Sequence, residues 1–146
     1  LIIVDLPPEE EFQIEKYIRN TEISIIRLLT PTTNGDRLNK IVKSASGFLY
    51  YVSIMGITGT KKPTIKKVKS SVNKIKKVTK LPIVVGFGIN NPKQINQISK
   101  FADGTVVGSS LVKFIEDFVK KKYKENTMFG KIKTFLKELN DSCYVK

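Results

Sequence analysis

Short β-branched runs alternate with longer amphipathic segments along this chain, and that rhythm predicts an α/β fold built on a parallel sheet. Two further observations agree. The runs are apolar at consecutive positions, as expected of strands covered on both faces. The segments between them repeat their apolar residues at helical spacing and leave little room for anything else.

The first run, Leu1-Ile2-Ile3-Val4-Asp5-Leu6, predicts a strand that Pro7-Pro8 ends before Glu9-Glu10-Glu11 open a helix. Proline near the first helical position and acids in the first turn suit the helix dipole. A second strand is expected over residues 23–29, stopped by the turn-rich Thr30-Pro31-Thr32-Thr33-Asn34-Gly35 before a short helix carrying Leu38, Ile41 and Val42. The third covers residues 48–54. Its loop, Met55-Gly56-Ile57-Thr58-Gly59-Thr60, is too rich in glycine and small polar residues for a simple connector. Ile65, Val68, Val72, Ile75 and Val78 then recur at helical spacing, with lysines on the remaining positions. The fourth strand, residues 81–85, runs into Gly86-Phe87-Gly88, and Asn91-Pro92 reads as an N-cap and first-turn proline for a helix with Ile95 and Ile98. The fifth, Thr105-Val106-Val107, ends in Gly108-Ser109-Ser110, where a helix with Leu111, Val112, Phe114 and Ile115 begins. Residues 120–126 read as a helix end and turn. A last helix holds Ile132, Phe135, Leu136 and Leu139.

Five such units fit an open doubly wound sheet or part of a (β/α)8 barrel, which needs roughly 250 residues when complete. The chain has 146, opens inside an apolar run, and is therefore expected to be one domain, residues 1–146, forming a partial barrel.

Composition narrows the function. With 40% hydrophobic and 27% charged residues and no apolar tract of about 18 residues, disorder and a membrane-spanning helix are excluded. One cysteine and no histidine leave a zinc site, a Ser/His/Asp triad and a Cys/His dyad without their parts. With no signal peptide, a reducing compartment is expected, the cytoplasm or a plastid stroma. The net charge of +13 comes almost wholly from lysine, arginine occurring only at positions 19, 27 and 37. Those lysines interleave with apolar helix positions, so a solvated helix face is preferred to a basic nucleic-acid-binding module.

In parallel sheets ligands sit beyond the C-terminal ends of the strands. Three of those ends are glycine-rich, at Gly56–Gly59, Gly86–Gly88 and Gly108–Ser110. Glycine lets backbone N–H groups approach an anion, and a helix opening at Ser109 aims its positive end there. A phosphate site is expected from the last two. Tyr50 and Tyr51 are strand neighbours, so only one can face inward. Asp5 ends the first run and reads either as an acid or base or, preferably, as a group holding the following turn.

The motifs Leu1-Ile2-Ile3-Val4-Asp5-Leu6-Pro7-Pro8, Thr30-Pro31-Thr32-Thr33, Tyr50-Tyr51-Val52-Ser53, Gly56-Ile57-Thr58-Gly59, Gly86-Phe87-Gly88-Ile89 and Gly104-Thr105-Val106-Val107-Gly108-Ser109-Ser110 come in an order and at spacings that resemble the tryptophan synthase alpha subunit family, up to Val119. The resemblance implies a (β/α)8 TIM barrel of which this chain holds parallel strands 4 to 8 with outer helices. It implies an aldol-type cleavage of indole-3-glycerol phosphate to indole and glyceraldehyde 3-phosphate, a step of tryptophan biosynthesis. Another sugar-phosphate-binding barrel, an isomerase or epimerase, shares the phosphate site but not the tyrosine and Gly56–Gly59 set.

Carried over position by position, the resemblance assigns Gly59, Phe87, Gly88, Gly108 and Ser109 to the phosphate and Val4, Leu28, Tyr50, Val52 and Phe87 to the indole wall, which selects Tyr50 as the inward tyrosine. Thr58 falls in a lid that assists catalysis. The two catalytic carboxylates of the family fall upstream of Leu1, so the chain alone is expected to be inactive. The implied partner is a beta subunit in a complex of two alpha and two beta chains, which carries the pyridoxal phosphate and is reached by an indole tunnel. Asp5 and Gly56–Thr60 fall near that subunit. Thr60-Lys61-Lys62 and Ile54-Met55 depart from the family pattern around the lid.

Overall fold

Four parallel strands form one sheet in the chain order β1-β2-β3-β4, each joined to the next through the helical side. The computed structural model describes residues 1–53, 64–86, 88–122 and 124–143. Among these, a 3-10 turn at Pro8–Glu10 leads into α1 (Phe12–Ile18), followed by β1 (Arg27–Leu29), α2 (Gly35–Lys43), β2 (Leu49–Val52) and α3 (Ile65–Lys76). Then come β3 (Ile83–Gly86), α4 (Pro92–Ser99), β4 (Gly104–Thr105), α5 (Ser109–Val119) and α6 (Glu125–Cys143).

The alternation of side chains along each strand divides the sheet into two faces. Leu29, Leu49, Tyr51, Ile83 and Val85 lie buried beneath the helices, against Leu38 and Ile41 of α2, Val68, Val72 and Ile75 of α3, and Ile95 and Ile98 of α4. The register places Leu28, Tyr50 and Val84 side by side on the opposite face. These three, with Val52, are half-buried.

α3 forms as its spacing predicts: Val68, Val72 and Ile75 point into the core while Lys66, Lys67, Lys69, Lys74 and Lys76 are exposed. Val78 lies past its end, exposed. The cap at α4 is also as read, with the Asn91 side chain accepting from the Gln94 N–H at 3.0 Å and Pro92 in the first turn.

One expected strand does not form. The Leu1 carbonyl accepts from Ile26 N–H at 2.9 Å and its ammonium donates to the Ser24 carbonyl, so the run begins beside β1. It then turns at Val4-Asp5. Pro7 and Pro8 have no N–H to offer a ladder, and the Leu6 carbonyl is taken by Arg27 Nη1 at 3.1 Å. Among the described residues, four strands therefore stand where five were expected.

At the N-terminal ends of the strands, Asp103 ties three elements together. Its carboxylate accepts from Ile83 N–H at 2.8 Å and pairs with Lys76 at 3.0 Å. Partial burial pushes this carboxyl up, but the Ile83 amide and the Lys76 ammonium outweigh it and hold it below the usual aspartate value.

Candidate active site

Beyond β2, Ser53 is buried, and both its N–H and its hydroxyl donate to the Gly86 carbonyl, at 3.1 and 2.9 Å. This clamp fixes the ends of β2 and β3 where the inner face meets the mouth of the sheet. Directly below it the Tyr50 ring lies over Gly86, and the close approach requires glycine at that position. Burial raises the Tyr50 phenol above its ordinary value, so it is a neutral hydroxyl at physiological pH. The alternation that left one of two tyrosines facing inward is thus resolved: Tyr51 is core and Tyr50 lines the inner face.

Leu28, Tyr50 and Val52 form one apolar surface across β1 and β2. Val4 is 72% exposed, and a cleft of about 250 Å³ brings it together with Leu28, Asp5 and Leu6. Asp5 lies at the turn of this cleft.

Across the sheet, Gly88 adopts φ +78°, a left-handed conformation that suits glycine. Gly108 caps α5 without a side chain, and a Cβ built there meets no heavy atom within 4 Å. Ser109 opens the helix. Gly108, Ser109 and Gly88 are all exposed. The Gly108 carbonyl accepts from Leu111 and Val112, leaving the Ser109 and Ser110 amides at the helix start without an acceptor among the described residues. Such unpaired N–H groups at the positive end of a helix attract an anion. Thr58, Gly59 and Phe87 lie outside the described residues.

In the sheet order, β2 with the tyrosine wall and β4, which leads to the start of α5, are two strands apart.

The sequence reading missed Arg27. This arginine is only 4% exposed, on the helix side of β1, where it forms an ion pair with Glu11 and donates to the Leu6 carbonyl. Its Nε has no partner among the described residues. A charge inside an apolar run was the available signal. Close by, Glu9 pairs with both Arg37 and Lys40, fastening the 3-10 turn to α2. Lys40 first, then the residue's own backbone and Arg37, hold the Glu9 carboxyl down to about 2.

Among the described residues, no group of three His, Cys, Asp or Glu side chains is placed to hold a metal ion, and no helix is long and apolar enough to cross a membrane.

The sequence model of the tryptophan synthase alpha chain family matches residues 1–143. The chain is 43% identical over 135 residues to the tryptophan synthase alpha chain of Geotalea daltonii, covering 91% of this chain and 51% of the relative. It is 41% identical over 139 residues to that of Carboxydothermus hydrogenoformans, covering 95% and 52%. In structure it is similar to tryptophan synthase subunit alpha from Legionella pneumophila, with TM-score 0.79, 32% identity, and 97% of this chain and 50% of that one covered. A Mycobacterium tuberculosis tryptophan synthase structure matches with TM-score 0.81 at 28% identity, covering 100% and 52%. The chain spans about half the length of these relatives.

Proposed function

Because the chain belongs to the tryptophan synthase alpha chain family, we propose that it supplies the indole- and phosphate-facing half of a lyase site that cleaves indole-3-glycerol phosphate to indole and glyceraldehyde 3-phosphate. The observation that carries this reading is the pairing of one apolar inner wall, Leu28, Tyr50 and Val52, with an uncapped helix start at Gly108-Ser109 across the sheet. The first accepts a flat apolar ring and the second a phosphate.

Cleavage breaks the bond between indole C3 and the glycerol chain. The electron pair goes to the ring, C3 takes a proton, and the hydroxyl on the departing carbon gives one up as the aldehyde forms. Both transfers need positioned acids and bases. The family resemblance places two carboxylates for these transfers ahead of Leu1, so this chain binds and orients while the preceding half reacts. Val4, Leu28, Tyr50, Val52 and Phe87 form the wall around the indole in this reading. Gly59, Phe87, Gly88, Gly108 and Ser109 surround the phosphate, and Thr58 sits in the lid. Residues 1–146 then form a single domain, the later part of a barrel working in the cytoplasm.

The partner in this reading is a beta subunit, in a complex of two alpha and two beta chains, which receives the indole. Pyridoxal phosphate belongs to that partner, and no step on this chain runs through it. A nucleic-acid-binding role and a different sugar-phosphate chemistry are not favoured by the family match.

The test joins this chain to the preceding half of the Geotalea daltonii relative and titrates the product with indole propanol phosphate and with a pentose phosphate. Binding of the indole analogue with little for the pentose phosphate is expected, and the reverse order contradicts the assignment.

A further inference from the structure

On the helix side of the sheet, opposite the face that Tyr50 lines, a cavity of about 340 Å³ opens between α2 and α3. It is bounded by consecutive elements of this chain: the loop after β1, the start of α2, the strand β2 and the middle of α3. Its volume lies within the range of small-molecule pockets.

The polar groups around it share one character. Tyr51, only 2% exposed, lines the cavity from beneath the helices, where strand alternation turns its side chain. Its ring packs in the core, yet no hydrogen bond among the described residues engages its hydroxyl. A buried hydroxyl left without a partner costs free energy that a bound acceptor recovers. On one wall, Ser71 and Lys74 stand three residues apart on α3 and so share the face toward the cavity. Neither side chain has a partner among the described residues. On the other wall, Asn34 and Gly35 begin the nine-residue α2. The first helical bond there runs from Leu38 N–H to the Asn34 carbonyl, so the Gly35 N–H has no acceptor among the described residues. Thr33 braces this wall, its Oγ1 accepting from the Thr30 N–H at 3.1 Å.

A phenol, an ammonium and a backbone amide are all donors, and the described lining includes a lysine and no carboxylate. The exposed lysines along α3 add to the positive potential at this place. Leu38 and Ile75 supply an apolar patch beside the donors. From this juxtaposition we propose that the cavity binds a small organic oxyanion, a carboxylate or a phosphate ester. Tyr51, Ser71 and Lys74 take its oxygens, and its carbon body rests on Leu38 and Ile75. This inference goes beyond the proposed lyase reading and does not rest on it, since that reading uses the other face of β2.

Titration of the isotope-labelled 146-residue chain with inorganic phosphate, and separately with succinate, tests the proposal through the amide resonances of Gly35 and Ser71. Those amides lie on α2 and α3, so phosphate bound at the start of α5 is read separately. Saturating shifts at both amides are expected with at least one probe, at a Kd of about 0.1 to 10 mM. The probe that binds more tightly identifies the head group. Tyr51→Phe removes a hydroxyl that no described residue engages, so an unchanged far-UV circular dichroism spectrum is expected, with probe binding weakened at least about fivefold. Lys74→Gln, on an exposed side chain, is expected to weaken binding as much. Lys66→Gln, exposed on α3 and outside the cavity, is expected to change it by less than about twofold at physiological ionic strength. Three results would overturn the proposal: shifts that never saturate with either probe, equal binding by Tyr51→Phe and the parent, or equal losses in Lys66→Gln and Lys74→Gln, the mark of a diffuse lysine surface.

Discussion

The Tyr50 ring fills the space that a side chain on Gly86 would need: a Cβ built at Gly86 falls 2.0 Å from the phenol oxygen and 2.4 Å from Cζ. Neither distance is tolerable, so the two residues are a matched pair on the inner face. Gly86→Ala is expected to displace the tyrosine and destabilise the fold by about 1–3 kcal/mol, the usual cost of overpacking. Adding Tyr50→Ala to that variant is expected to recover part of the loss. Urea unfolding of the two single variants and the double variant checks this, and additive losses would contradict it.

Buried and exposed apolar side chains predict unequal responses to truncation. Leu29→Ala and Ile83→Ala each remove a side chain with no exposed surface and are expected to cost about 2–5 kcal/mol. Val4→Ala, on an exposed side chain, is expected to stay within about 0.5 kcal/mol. Denaturant midpoints at constant slope measure both.

Arg27 and Glu11 predict an asymmetry. Glu11→Gln leaves a buried guanidinium short of its counter-charge and is expected to destabilise by about 1–3 kcal/mol. Arg27→Met removes the buried charge and fills similar space, so it is expected to be neutral or mildly stabilising. Thermal unfolding of the two variants side by side decides it, and equal losses would show that the pair itself contributes the stability.

Acid lability follows from the lowered carboxyls. Glu9 sits at about 2 in the fold, below the roughly 4.3 of an unperturbed glutamate. A depressed folded value contributes stability that is complete above the unfolded value and lost as pH falls through the folded one. Asp103 acts in the same direction. Stability is therefore expected to fall between about pH 4 and pH 2, less steeply in Glu9→Gln than in the parent. Urea midpoints across that window measure it, and identical slopes would contradict the role of the Lys40 and Arg37 contacts.

Much of this architecture was readable in the residues because its causes are local. The β2 and β3 runs are continuous apolar stretches, the Asn91-Pro92 cap is a short-range hydrogen bond, and α3 shows one apolar stripe among its lysines. The Leu1 run misled because its fate depends on Arg27, which takes the Leu6 carbonyl from 21 residues away. The Arg27–Glu11 pair was hidden for the same reason. Strand alternation showed that one tyrosine must face inward without saying which. That choice needed the neighbouring helices, whose core takes Tyr51. Gly108 and Ser109 were legible as a helix start, yet only the fold places them two strands from Tyr50.

Release of indole from indole-3-glycerol phosphate by this chain, joined to the preceding half of the Geotalea daltonii relative, measures the account most directly when the same hybrid carrying Gly108→Val is assayed beside it. A Cβ at this position meets no heavy atom within 4 Å, and the variant is expected to fold as its parent does, which its far-UV circular dichroism spectrum checks. Indole release by the parent hybrid is expected, with a loss of at least about tenfold in kcat/KM for Gly108→Val, equivalent to about 1.4 kcal/mol of lost transition-state stabilisation. A folded hybrid that releases no indole, or one indifferent to the valine, would contradict it.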